Sequence, residues 1–200
     1  VESNAFTCPT LKTITLSKNM KTGIAGSYGI FYNCTKLKAI YVPEDSPYLK
    51  AVDGVLYDKA QTIVYCFPRA KNPTGFKLPD TVTTIERYAF YMFSGSSIEL
   101  PENLETIEMS AFRNSKLKSI HIPRKVKTIG SYAFQGNASA ALATVTFDPN
   151  SSLESIANNA FDQNPIVNII LPDNIKTIGN YCFNKCAKLE EIILPAALES

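Results

Sequence analysis

Hydrophobic positions along this chain recur in blocks that follow neither one helical period nor one strand period. The stretch "VKTIGSYAFQGN" (126–137) sets Val, Ile, Ala and Phe among polar residues. Near copies stand at "VTTIERYAFYMF" (82–93), "LETIEMSAFRNS" (104–115), "LESIANNAFDQN" (153–164) and "IKTIGNYCFNKC" (175–186). A second block, L-x-x-I-x-L-P, falls between them as "LKAIYVP" (37–43), "LKSIHIP" (117–123), "IVNIILP" (166–172) and "LEEIILP" (189–195). "LKTITLS" (11–17) and "LATVTFD" (142–148) keep its apolar spacing without the proline.

Aligned on the phenylalanine of the first block, Phe6, Phe31, Phe90, Phe112, Phe134, Phe161 and Phe183 mark successive units, several of them 22 residues apart and others 25 or 27. A repeat of that length is a solenoid signature. One such unit has too little surface to bury its own Ile, Leu and Phe. Stacked units place Ile on Ile and Phe on Phe, and a continuous core runs along the rod. The I-x-L segment alternates, so Ile120 and Ile122 are expected inward and His121 outward. Pro123 ends that strand, because proline cannot continue a backbone ladder. The "AF" segment is expected to form a short helical or 3₁₀ turn that drives its Phe into the core.

The 59 residues between Phe31 and Phe90 exceed one unit. Within them, "VLYDKAQTIVYCFP" (55–68) reads as two strands around a "DKAQ" turn, with "VLY" where "AF" would sit. This predicts a hairpin-containing variant coil over about 48–70, followed by a loop at "AKNPTG" (70–75). The expected fold is an α/β repeat solenoid of about eight coils with a parallel sheet, forming one domain over 1–200. At the usual strand spacing of about 4.8 Å, that sheet would be roughly 35–40 Å long. "KTGIAGSYGIF" (21–31) and "QGNASAALATV" (135–145) are longer than their counterparts and are expected to be local loops.

The pattern L-x-x-I-x-L-P-x-x-L-x-x-I-G-x-x-A-F, best kept in 117–134 and 166–183, resembles the BspA-like leucine-rich repeats of bacterial surface proteins. The "AVDGVLYDK…YCFP" variant coil is similar to one common in that family, and the resemblance covers nearly the whole chain. It implies a cell-surface or secreted protein whose sheet binds host proteins or other cells.

Composition adds exclusions. The chain is 45% hydrophobic and 19% charged, with 20 basic and 18 acidic residues, so nothing in its charge favours nucleic acid or an anionic membrane. Apolar runs such as "IVNIIL" (166–171) are too short to span a bilayer. The chain starts with Val, shows no signal peptide, and cuts into a repeat at both "VESNAF" and "PAALES". A piece of a longer protein is therefore expected, with further coils or a neighbouring domain covering its edges.

Catalytic patterns are lacking. His121 is the only histidine, at an outward strand position. No nucleophile elbow, phosphate loop or calcium loop occurs, and Asp148, Asp162 and Asp173 each stand alone among apolar residues. Neither an enzyme nor a cofactor or metal is expected. The five cysteines include no C-x-x-C pair and are expected to be buried or half-buried free thiols. Cys34 and Cys186 both lie three residues after a repeat Phe, about six coils apart, too far to bridge.

The candidate surface is the outward ladder of the I-x-L strand: Thr15, Tyr41, Lys77, Glu99, His121 and Thr146, continued by Ile170 and Ile193. The first six are polar or amphipathic; the last two, with Leu198, are expected to mark a packed carboxyl-terminal edge. Flanked by Thr13, Ser97, Ser119, Thr144 and Asn168, they describe a flat, wet face able to hydrogen-bond an extracellular protein. The bland alternative is that Lys77, Glu99 and His121 satisfy one another across neighbouring strands. Tyr88, Tyr132 and Tyr181, each two before a repeat Phe, form an aromatic row, interrupted by Ser110 and Asn159. It either stacks within the scaffold or offers a glycan platform. Sequons at 33–35, 137–139 and 150–152 matter only in a eukaryotic source. Recognition of a host or neighbouring-cell macromolecule leads, with a structural spacer and glycan capture as alternatives.

Overall fold

Each repeat writes two extended segments, and the structure uses them for two different columns. The computed structural model describes residues 6–21, 29–136 and 139–199. The lengthened segment at 21–31 and the sequon at 137–139 fall largely outside them. From the amino end the strands are β1 (Thr13–Thr15), β2 (Ala39–Tyr41), β3 (Leu49–Val52), β4 (Val55–Asp58), β5 (Ile63–Cys66), β6 (Thr84–Ile85) and β7 (Thr106–Ile107). They continue as β8 (Ser119–Ile122), β9 (Thr128–Ile129), β10 (Thr144–Phe147), β11 (Ser155–Ile156), β12 (Asn168–Ile170), β13 (Thr177–Ile178) and β14 (Glu191–Ile193). Together they wind a leucine-rich-repeat-like solenoid of about seven turns. The expected eight coils counted strand positions, and the eight outward residues from Thr15 to Ile193 bound seven intervals.

The continuous sheet does not lie where the sequence placed it. It joins the two-residue T-I or S-I segments β13-β11-β9-β7-β6 to the four-residue strands β5-β4-β3 of the variant coil, in that order. From β5 to β13 it is parallel and in step, with Ile85, Ile107, Ile129, Ile156 and Ile178 in register. The I-x-L strands form only isolated pairs, β1–β2, β8–β10 and β12–β14, each parallel.

The "AF" segment also departs from expectation: among the described residues there is no helix. Two tandem turns replace it, and the residue two before each repeat Phe is left-handed: Tyr88, Ser110, Tyr132, Asn159 and Tyr181 have φ of 58–60°. Four of the residues two after it, Met92, Asn114, Gln163 and Lys185, share that conformation. Alternating handedness turns every second N–H along the rod. Ser110, Phe112 and Asn114 donate to the carbonyls of Ser131, Ala133 and Gln135 at 2.9, 2.7 and 2.8 Å. A helical turn would have spent those donors within its own coil.

The phenylalanines stack as expected from Phe90 to Phe183, with neighbouring centroids 5.0–5.6 Å apart and planes within 10°. Phe67 occupies the variant coil's place in the column, 5.6 Å from Phe90, where the sequence had suggested "VLY". The variant coil holds three antiparallel strands, β3, β4 and β5, so the predicted hairpin is part of a meander. That meander separates two cores. Val55, Tyr57, Val64 and Phe67 face the larger one, whereas Leu56 and Tyr65 face the core of the first two coils.

Candidate functional site

All six expected face residues are exposed, and each sits where a short strand or its irregular equivalent turns its middle side chain out. They meet in twos rather than as one ladder. Thr15 lies opposite Tyr41 on β1–β2, and Tyr41 is 52% exposed. Lys77 Nζ lies 3.8 Å from Glu99 Oε2. His121 lies opposite Thr146 on β8–β10, its Nδ1 3.0 Å from Thr146 Oγ1. Ile170 and Ile193 also lie opposite each other on β12–β14, but at 70% and 49% exposed they do not make the packed edge expected of them.

The face is therefore notched rather than flat. One groove of about 590 Å³ separates the Asn72–Lys77 segment from Ser94–Glu99. Another, of about 490 Å³, separates β10 from β12. A smaller one, about 290 Å³, lies beside β2 and the Asp53–Gly54 turn.

The tyrosine row does not form a platform. Tyr88 packs against Tyr32 and Tyr91 at 5.7 Å from each. Arg113 lies over the Tyr132 ring at 5.3 Å, and Tyr181 stands 70% exposed. The left-handed backbone explains the Ser and Asn interruptions, since the row is defined by its conformation and not by its rings.

Asp162 carries a feature that the sequence did not reveal. It is buried and accepts from Gln135 Nε2 at 2.6 Å, Gln163 Nε2 at 3.1 Å and Asn184 Nδ2 at 2.9 Å. Burial by itself would raise its carboxyl, but those three amides and the nearby Lys185 hold it below the ordinary carboxylate range. The available signal was positional: Gln135, Asp162 and Asn184 each follow a repeat Phe directly.

All five cysteines are free. Cys34 and Cys186 share the expected repeat position, each thiol donating to the carbonyl of the previous coil's Phe, at 3.1 and 3.3 Å. Burial pushes Cys66 and Cys182 up to about 12. Cys8 departs from the expected burial and is exposed. Among the described residues no group of three His, Cys, Asp or Glu side chains could hold a metal ion. Among the described residues no helix is long and apolar enough to cross a membrane.

Comparison with known proteins places this geometry in context. The model of the BspA type leucine rich repeat region matches in 6 copies, over residues 1–51, 62–147 and 137–200. No curated protein matches the chain. Among solved structures, a leucine-rich repeat protein from Eubacterium ventriosum is 27% identical with a TM-score of 0.66, over 95% of this chain and 50% of its own. The pneumococcal vaccine antigen PcpA is 27% identical with a TM-score of 0.60, over 94% of this chain and 40% of its own. A leucine-rich repeat protein from Bacteroides ovatus is 25% identical with a TM-score of 0.59, over 94% of this chain and 46% of its own. The chain thus spans half or less of the length of these solved proteins.

Proposed function

Since this chain belongs to the BspA-type leucine-rich repeat family, we propose that it is a non-enzymatic recognition module of a cell-surface or secreted protein. It binds a host or neighbouring-cell macromolecule, a protein first and a glycan second, through the face carrying Thr15, Tyr41, Lys77, Glu99, His121 and Thr146. The observation that carries this reading is the contrast between inside and outside. The repeats spend Ile and Phe on the core, yet vary the outward residue from coil to coil. A rigid scaffold with a variable exposed column is what specific binding requires. The similarity to a pneumococcal antigen supports a surface location.

The test is a binding panel of matrix proteins and glycans, run beside a variant with Tyr41, Lys77, Glu99 and His121 all changed to alanine. Loss of a hit in a folded variant supports the reading. A hit retained in full sends recognition to another face.

One observation favours a spacer instead: Lys77 pairs with Glu99 and His121 with Thr146, so these groups already have partners. A spacer would bind nothing in the panel. Ile192 and Ile193 of β14 and the adjoining Leu194 are exposed.

A further inference from the structure

Two cysteines meet where the first two coils stack. β1 and β2 pair in parallel, with Thr13, Ile14 and Thr15 opposite Ala39, Ile40 and Tyr41, an offset of 26 residues. The turns before those strands keep the same offset. Lys38 N–H donates to Lys12 O at 2.8 Å, and the Thr35 hydroxyl donates to Pro9 O at 3.0 Å. Leu11 N–H closes a turn on Cys8 O, as Leu37 N–H does on Cys34 O. Cys8 and Cys34 therefore hold the same place in successive coils. Backbones stacked at the usual strand spacing lie about 4.8 Å apart, within the Cα separation that a disulfide spans.

The Cys34 sulfur is turned toward that neighbour. It leans along the rod to the first coil, where its thiol donates to Phe6 O at 3.1 Å. Burial pushes this thiol up, while the Cys8 N–H beside it works the other way. Cys66, at the end of β5, lies in the coil on the opposite side, so the sulfur faces away from it. Cys34 is buried and Cys8 exposed, so of the two it is Cys8 that a reagent reaches first. The position has a mechanical use as well. The meander cuts the core of the first coils off from the larger one, and Phe6, Leu11 and Ile14 of the first coil are only partly buried in it. A cross-link stabilises such a coil by restricting the unfolded chain.

We propose that Cys8 and Cys34 form a disulfide that staples the first coil to the second. The Cys8 thiolate attacks one sulfur of a small disulfide such as oxidised glutathione, which makes a mixed disulfide and releases one thiolate. Cys34 then gives up its proton, attacks the Cys8 sulfur and releases the second thiolate. Two protein thiols are oxidised, one small disulfide is reduced to two thiols, and both protons end on the released glutathione. Persistence of the bond rests on the cell-surface or secreted location proposed above, since most intracellular proteins are kept reduced.

The test is equilibration of the folded, reduced protein with oxidised glutathione, followed by alkylation, intact mass and peptide mapping. The expected result is a loss of two free thiols, with one bridged peptide pair joining 8 and 34 and no glutathione retained. Cys66→Ser and Cys186→Ser should leave the bridge in place. Cys8→Ser changes an exposed residue, so it should fold, form no bridge and leave Cys34 reduced. Oxidation should raise the thermal midpoint of the parent protein and leave that of Cys8→Ser unchanged. Glutathione held on Cys8 beside a free Cys34, a bridge from Cys34 to Cys66, or a bridge formed only after unfolding would each overturn the assignment. A midpoint indifferent to the bridge would overturn its role as a staple. The bridge is read with no partner present, so a silent binding panel leaves it standing, and its absence leaves the recognition face standing.

Discussion

Phe112 and Phe134, in neighbouring coils, stack with centroids 5.2 Å apart and planes 2° from parallel. That separation lies within the range of favourable aromatic stacking, and the coil spacing repeats the pair along the rod. Both rings are buried, and each supports the ring beyond it.

Phe112→Ala should accordingly cost roughly 3–5 kcal/mol, because the coils above and below are hydrogen-bonded at fixed spacing and cannot collapse into the space. Chemical denaturation monitored by circular dichroism checks this. A loss below about 1 kcal/mol would mean that the column relaxes as a unit.

Tyr181 tests the left-handed turns without interference from packing, since it has φ 58° and is 70% exposed. Tyr181→Val should destabilise by roughly 1–2 kcal/mol, because a β-branched side chain resists that conformation. Tyr181→Asn should be neutral or stabilising. Thermal melting of the two variants side by side decides the matter, and equal melting temperatures would show that the turn does not demand the conformation.

Asp162 should leave a mark on the acid limb of stability. Its carboxyl is held low in the folded state, burial being outweighed by the three amide donors and Lys185. The folded protein therefore binds a proton there less readily than the unfolded chain. The resulting stabilisation is full above the unfolded value of about 3.9 and is lost as pH falls through the lower folded value. Asp162→Asn should remove this dependence and cost about 1–3 kcal/mol at neutral pH, since the amide donors lose a charged acceptor. Denaturation midpoints from pH 2 to 7 provide the check.

Thiol reactivity should divide the cysteines. At pH 8, near the ordinary thiol range, Cys8 should react with iodoacetamide at a rate typical of an exposed thiol. Cys66 and Cys182, pushed up to about 12 by burial, should react only on unfolding. Mass spectrometry of timed, alkylated samples reads the order, and early labelling of Cys182 would contradict its burial.

The Phe column and the outward setting of His121 and its equivalents were legible because each follows from a local pattern repeated at fixed spacing. The meander could be read only in part. "DKAQ" signalled the β4–β5 turn, but nothing local made Phe67 rather than "VLY" the partner of Phe90. The Asp162 cluster was hidden for a similar reason. Gln135, Asp162 and Asn184 are 27 and 22 residues apart, and each looks like an ordinary polar turn residue until the coils stack.

The sequence by itself determined that the chain must wind, since no single repeat can bury its own Ile and Phe, and it determined which residues face inward. Only the tertiary structure decided which segments join into a continuous sheet. Pairing depends on the distance between neighbouring backbones, and that distance is set by whole coils packing against each other. The T-I segments come close enough at each step from Val64 to Ile178. The I-x-L strands, longer and better patterned, separate between β10 and β12 and leave the groove.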